Sequence, residues 1–513
     1  MLIVLLAGVA AGAYALVHSK LNQDHRHAAV EKFTDAWVRG DYETMYGLLD
    51  ARSRAANPKI SFLADYRRAN KAAGVRKIVL GKLGPLGKDG AVPVPVTVQT
   101  KEFRSLKGTL TFHASEDAQG DGRVAWTPAL RLPGLKEGEE VRRHVSAAPR
   151  RGNIYDASGR LLDSDPTGAS IAGVAGKKPT GLQRIYNDRL GGRRSVTLRF
   201  GDRVIAKVPG RKGKSLHTTI RLGLQKTAQA ALGGKLGGVA VIKPSDGSIL
   251  ALAGLAVSGP QPPGSSFKII TLAEALATGV AKPSSSYPIR TYAVLSGVKL
   301  RNASNESCGG SLAQSFADSC NSVFGPIGAK LGAKRLVAAA ERFGFNEQPD
   351  VPAAKPNSIP KASQLKDAIA VGASAIGQNK DLATPLGMAS VGATIANHGV
   401  RVKPHLAGTK RVRRRAVSAK VAAQVRDMMI GVVRSGTGTA AAIPGVTVAG
   451  KTGTAELRPT ADAAPDPRNT TAWFVAFAPA GKPRVAVAVM MVASGAGGTA
   501  AAPIARRVIQ AAL

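Results

Sequence analysis

Ser265 and Lys268, three residues apart in the stretch PGSSFKII, restrict this chain more than any other feature. They are followed by the run IITLAEALATG, from Ile269 to Gly279, whose composition and spacing predict a helix. A spacing of three places the hydroxyl and the amine on one helical face. Ser265 then falls in the first turn, where unpaired backbone N–H groups and the positive dipole end favour developing negative charge. A serine hydroxyl needs an adjacent base to act as a nucleophile. A lysine desolvated at a helix start, with its pKa lowered, is such a base. The bland alternative is an N-capping serine beside a solvated lysine, and the spacing alone does not separate the two.

A length of 513 residues predicts about three domains rather than one core. Apolar residues at 44% exclude global disorder, and aromatics at 4% predict cores built from Ala, Gly and Val. The net charge of +38 calls for an anionic counterpart. No helix-turn-helix, zinc finger or aromatic-interleaved basic stretch accompanies it, so no nucleic acid is expected as a partner. Short clusters such as KRVRRR, Lys410 to Arg415, fit an anionic membrane or wall surface, or a general preference for Arg. No HExxH and no His/Cys cluster of ligand spacing occurs, so no metal and no cofactor are implied.

The apolar run from Leu2 to Val17 is short of the roughly 20 residues that cross a bilayer. It reads as an uncleaved anchor, as a signal peptide cut near Ala11-Gly12-Ala13, or as a buried helix. Export is the expectation carried forward, with the true start upstream of Met1 or a trimmed N-terminus because no basic flank precedes the run. Cys308 and Cys320 are compatible with one disulfide closing a short loop and equally with two thiols.

Along the chain, residues 21–143 read as a small α+β domain. Helical spacing covers Ala28–Gly40 and Tyr42–Leu49, and strands are expected at Arg76–Leu83, Val92–Thr100, Gly108–Ala114 and Arg123–Leu130. Residues 144–215 read as a basic, Gly-rich segment with short strands such as Ser195–Phe200. GRKGKS at Gly210 lacks the first glycine of a phosphate loop, and GTGTAA at Gly436 lacks a dinucleotide-binding context. From residue 216 onward the pattern is dense: a helix at Leu222–Leu232 and a hairpin of Gly238–Ile242 with Ser248–Ala253. Near the end come buried strands at Thr471–Ala480 and Pro483–Ser494 and a closing helix at Ala501–Leu513. One antiparallel sheet assembled from both ends of the domain is expected.

Two further motifs follow Ser265 and Lys268 in order. ADSCNSVF supplies Ser319, Cys320 and Asn321 at the end of a helical stretch; VAGKTGTAE supplies Lys451, Thr452, Gly453 and Thr454 on a β-like run. S-x-x-K, S-x-N and K-T-G in this order form a known signature of serine acyl-transfer enzymes that recognise β-lactams. On these motifs the chain resembles the class B penicillin-binding proteins. The resemblance extends to TIRLGLQKTAQAAL from Thr219, VAVIKPSDGSILALA from Val239, AIGQNKDLATPLGMA from Ala375, ANHGVRVKPHL from Ala396 and VVRSGTGTA from Val432. RRGNIYDASGRLL, Arg150 to Leu162, is similar to the pedestal motif of that family. WTPALRLPGLKEGEEV, from Trp126, resembles the nuclear-transport-factor-like N-terminal domain of the methicillin-resistance type.

The resemblance implies an α+β, multidomain chain: a membrane anchor or signal segment at 1–20, a nuclear-transport-factor-like domain at 21–143, a pedestal at 144–215 and a transpeptidase domain at 216–513. It implies D,D-transpeptidation of peptidoglycan stem peptides ending in D-Ala-D-Ala. Ser265 is then the nucleophile, Lys268 its base, Ser319 the proton relay and Lys451 the helper of that relay. Asn321 holds the substrate amide, Thr452 and Thr454 bind the terminal carboxylate beside the positive Lys451, and Gly453 completes the substrate-binding set. The backbone N–H groups of Ser265 and Thr454 make the oxyanion hole. β-Lactams acylate the same serine. The implied setting is the bacterial cell membrane, with the catalytic domain outside and a glycosyltransferase of the wall machinery as partner. The same motifs also serve a D,D-carboxypeptidase, a serine β-lactamase, or a scaffold that is acylated without turnover.

Overall fold

The computed structural model describes residues 25–351, 353–408, 411–457 and 466–513. The apolar run Leu2–Val17 lies outside the described residues, as does Lys410 of the basic cluster. Among the described residues no helix is long and apolar enough to cross a membrane. The chain divides into two compact units, one of residues 1–151 with 191–214, the other of 152–190 with 215–513.

In the first unit a helix over residues 25–39 and a second, Lys59–Ala73, accompany a four-stranded antiparallel sheet. Its strands are Val75–Leu80, Ala91–Thr100, Leu106–Glu116 and Gly122–Ala125, in that order. Strand Ala91–Thr100 alternates buried valines (Val92, Val94, Val96, Val98) with less buried partners, the period of a sheet with one packed face. The strand expected to run to Leu130 stops at Ala125, and Pro128, which has no N–H for a ladder, opens a 3-10 turn to Arg131. The core is aromatic: Phe62 stacks edge-on against Tyr66 and Trp126, and Trp126 Nε1 donates to the Tyr66 hydroxyl at 2.9 Å. A three-stranded sheet of Val141–Val145, Val196–Phe200 and Arg203–Val208 adds Val196, Leu198 and Phe200 to that core.

The stretch 144–215 is therefore shared between the units. Its strands Val196–Phe200 and Arg203–Val208 join the first, while Ile154, Leu162, Leu182 and Leu190 are buried in the core of the second.

The second unit is centred on a five-stranded antiparallel sheet of β1 (Gly237–Ile242), β2 (Ile249–Gly254), β3 (Ala449–Glu456), β4 (Thr470–Ala478) and β5 (Val485–Val492). The order is β2-β1-β5-β4-β3, so the two ends of the unit meet at β1 and β5 and β3 forms an edge. Helices cover both faces, which is why the strands are apolar at nearly every position. Residues Val239 and Val241 of β1 pack with α1 (Leu222–Leu232) and the C-terminal helix; their neighbours Ala240 and Ile242 face the larger core. That larger core holds α2 (Lys268–Thr278), α3 (Leu312–Ala317), α4 (Asn321–Arg342), α5 (Pro385–Ala396) and α6 (Ala419–Arg434). The chain closes with α7 (Ala502–Ala512). Helix α2 is buried from Lys268 through Ala275 and ends at Gly279 in the left-handed conformation, φ +74°.

Candidate active site

Three elements bring the predicted residues together. Ser265 lies in a 3-10 turn, Gly264–Phe267, that leads directly into α2, so Lys268 is the first residue of the α-helix. Ser319 and Cys320 lie in the link between α3 and α4, and Asn321 is the first residue of α4. Lys451, Thr452, Gly453 and Thr454 run along the edge strand β3.

The serine turn is pressed against β3. Gly264 adopts φ +51°, and a Cβ there would lie 2.6 Å from the Thr454 carbonyl oxygen; one on Gly453 would lie 2.6 Å from the Pro263 oxygen. Both positions therefore require glycine. Trp473 Nε1 on β4 donates to the Pro262 oxygen at 2.8 Å, and the Gly264 N–H donates to the Gly377 oxygen at 2.9 Å, which fixes the turn from two sides. Ser265 is partly exposed, and its hydroxyl makes no hydrogen bond among the described residues.

Lys268 is fully buried. Its Nζ lies 2.6 Å from the Ser319 carbonyl oxygen, 2.7 Å from Asn321 Oδ1 and 3.3 Å from Ser319 Oγ. Lys451, also fully buried, donates to Ser319 Oγ at 2.8 Å and to the Thr452 carbonyl at 3.1 Å. Both amines thus converge on one hydroxyl. Their walls are aromatic: Phe324 lies under Lys268 at 5.7 Å and Phe316 under Lys451 at 5.5 Å. Burial pushes Lys268 well below the ordinary lysine range, and the neighbouring Lys451 pushes it further down. Burial lowers Lys451 to about 7. Neither amine has an ion-pair partner among the described residues to offset that desolvation.

A neutral amine has two N–H donors and one lone pair. Lys268 can give its donors to the Ser319 carbonyl and Asn321 Oδ1 and keep the lone pair for an incoming proton. Asn321 has spent one Nδ2 hydrogen on the Arg301 carbonyl, at 2.9 Å, and retains the other. Thr454 Oγ1 accepts from the Gly497 N–H at 3.2 Å. Cys320 is joined to Cys308 in a disulfide, so one of the two states left open by the spacing is the one present.

Thr437, which lies outside the three motifs, is a further polar residue at the site. Thr437 Oγ1 lies 2.6 Å from Thr452 Oγ1. It belongs to the VVRSGTGTA stretch that shares the family resemblance and whose GTGTAA part lacks a dinucleotide-binding context. The available signal was a hydroxyl between glycines, just after a helix and ahead of the K-T-G strand. Among the described residues no group of three or more His, Cys, Asp or Glu is placed to hold a metal.

A partly exposed serine in the turn that leads into α2, a buried lysine at the first position of that helix, and a second buried lysine that shares the Ser319 hydroxyl with it are the parts a serine acyl-transfer site needs. Residues 237–510 match the penicillin-binding protein transpeptidase domain, and residues 26–139 match the NTF2-like N-terminal transpeptidase domain. The chain belongs to the penicillin-binding protein transpeptidase family and is of the class B type.

It is 36% identical over 406 residues to the peptidoglycan D,D-transpeptidase PbpA of Mycolicibacterium smegmatis, across 66% of this chain and 80% of the relative. The PbpA of Mycobacterium tuberculosis is 34% identical over 404 residues, across 65% and 79%. Among solved structures, the penicillin G acyl-enzyme complex of penicillin-binding protein A from M. tuberculosis is 29% identical. It aligns with TM-score 0.60 over 71% of this chain and all of that one (100%). The D,D-transpeptidase domain of a peptidoglycan glycosyltransferase from Eggerthella lenta is 30% identical, with TM-score 0.61 over 72% and 99%.

Proposed function

We propose that the chain is a peptidoglycan D,D-transpeptidase that works through an acyl-enzyme on Ser265. The observation that carries this reading is the convergence of two buried, carboxylate-free lysines on Ser319 beside the serine turn. Neutral Lys268 takes the Ser265 proton as the hydroxyl attacks the penultimate D-Ala carbonyl. The proton passes through Ser319 to the leaving D-Ala amine, with Lys451 donating to the same hydroxyl. The N–H groups of Ser265 and Thr454 stabilise the oxyanion. Asn321 offers its remaining N–H to the stem-peptide backbone. Lys451, Thr452 and Thr454 receive the terminal carboxylate, with Gly453 leaving room for the close approach of β3 to the serine turn. A second stem-peptide amine then resolves the ester, and a β-lactam enters as a D-Ala-D-Ala mimic.

The setting that fits this substrate is the outer face of the cytoplasmic membrane. The run Leu2–Val17 serves there as the anchor, and a glycosyltransferase that polymerises the glycan is the natural partner. The basic surface of the chain suits an anionic envelope.

The test is labelling of the purified protein with fluorescent penicillin, followed over hours, with Ser265→Ala as control. A Ser265-dependent adduct that persists for many minutes is expected. Release within seconds would identify a β-lactamase, and no adduct at high drug concentration would leave a scaffold.

A further inference from the structure

Thr437 stands just beyond α6, with an exposed side chain beside the buried Thr452. Its hydroxyl has two neighbours: Thr452 Oγ1 at 2.6 Å and the Ala317 carbonyl at 3.2 Å. The same carbonyl also accepts the Thr437 backbone N–H at 3.2 Å. Ala317 closes α3, two residues before Ser319, so this one side chain ties the S-x-N link to the K-T-G strand.

Each hydroxyl has a single proton. If Thr437 gives its proton to Ala317, the 2.6 Å contact requires Thr452 to donate to Thr437, and Thr452 then has nothing to offer an anion. If Thr437 turns its proton onto Thr452, the Thr452 proton is released toward the cleft. That second arrangement leaves no carbonyl unpaired, because Ala317 keeps the Thr437 N–H. The turn is therefore inexpensive, and a carboxylate in the cleft favours it, since a hydroxyl that accepts a hydrogen bond is a better donor.

We infer that Thr437 is a positioning residue that sets the direction of the Thr452 proton, and with it the affinity of the site for a ligand carboxylate. The inference rests on the reading of Thr452 as part of the carboxylate subsite. In the empty site the chain of donors runs Thr452 to Thr437 to Ala317. In the occupied site it runs Thr437 to Thr452 to carboxylate.

The experiment is stopped-flow acylation of the full chain by fluorescent penicillin and by its carboxylate methyl ester, resolved into a dissociation constant and an acylation rate constant. Thr437→Val keeps the shape and the backbone N–H and removes the hydroxyl. It should weaken penicillin binding about threefold, because Thr452 still donates to the carboxylate but loses the hydrogen bond that makes it a better donor, whereas the free site loses only a neutral bond. Binding of the ester should change less than twofold, as should both acylation rate constants, and Thr437→Ser should restore penicillin affinity.

Equal weakening toward acid and ester would make Thr437 a structural brace and overturn the inference. So would an unchanged dissociation constant, a loss confined to the acylation rate, or a serine variant that rescues nothing. A wild-type protein with no adduct at all would instead overturn the transpeptidase reading beneath it.

Discussion

Lys268 and Lys451 both reach the Ser319 hydroxyl, and both are held below their ordinary range by burial. The two amines need opposite states. Lys268 must be neutral to accept a proton, and Lys451 is most useful charged, facing a carboxylate. A base with a lowered pKa is neutral above that pKa, so acylation should rise with pH as Lys268 deprotonates, well below 10.5. The second-order constant for a carboxylate-bearing β-lactam should then fall as pH climbs past about 7, where Lys451 loses its charge. The two limbs belong to the coupled pair rather than to either lysine. A pH profile of penicillin acylation from 5 to 10 checks this, with the carboxylate ester lacking the descending limb. A single rise near 10 would show that the lysines titrate as if solvated.

At this scale the sequence was highly legible. The three motifs contain Lys268, Ser319, Asn321 and Lys451, which meet through hydrogen bonds, since each motif is a short local pattern on its own element. Thr437 was not legible as a site residue, because its role depends on a contact across 15 positions that no local spacing announces.

The element that carries most constraint is the link between α3 and α4. Ser319 sits at φ +65°, a left-handed conformation that costs a non-glycine residue about 1–2 kcal/mol. Three contacts hold it there. The Cys320 N–H donates to the Ser315 carbonyl at 2.9 Å, Lys268 binds the Ser319 carbonyl, and the disulfide ties Cys320 to Cys308 at the start of the strand Cys308–Ser311. Replacing Cys308 with Ser opens a loop with a sequence separation of 12 and should cost about 2–3 kcal/mol in denaturant unfolding. It should also slow acylation, because the relay hydroxyl loses one of its restraints. Full stability with full acylation in Cys308→Ser would show that the remaining two contacts suffice.

The elements themselves divide by how plainly their burial is written. β4 and β5 are covered on both faces, so their sequences are apolar throughout and were legible as strands almost to the residue. Helix Lys59–Ala73 went unread. It buries only Phe62, Tyr66, Ala69 and Ala73, a thin stripe at helical spacing that polar neighbours and two alanines obscure.

On the scale of the whole chain, a boundary between residues 215 and 216 is what composition suggests, and it follows where the dense apolar pattern begins. The core of the second unit reaches further back. Ile154, Leu162, Leu182 and Leu190 are at most 4% exposed and pack with Leu216, Ile220 and Leu222, a long-range association that periodicity within 152–190 does not reveal. Fully burying one such side chain is worth roughly 1.5–3 kcal/mol. Losing four would remove an amount comparable to the whole net stability of a domain.

A fragment of residues 216–513 should therefore express poorly or melt far below the intact protein, although it contains every motif residue. Residues 191–214, by contrast, contribute no side chain to that core. The points where they leave and rejoin are close: the Arg189 guanidinium donates to the Ser215 carbonyl at 2.9 Å, the Gly152 N–H to the Leu190 carbonyl at 2.8 Å, and the Leu216 N–H to the Asn153 carbonyl at 2.8 Å. A fragment of residues 152–513 in which 191–214 is replaced by a short Gly/Ser linker should fold and be labelled by penicillin at Ser265 within about twofold of the intact rate. Thermal melts and labelling rates of the two fragments decide the matter. If the 216–513 fragment melts and labels like the intact chain, the segment 152–190 is a dispensable cover rather than part of the catalytic unit's core.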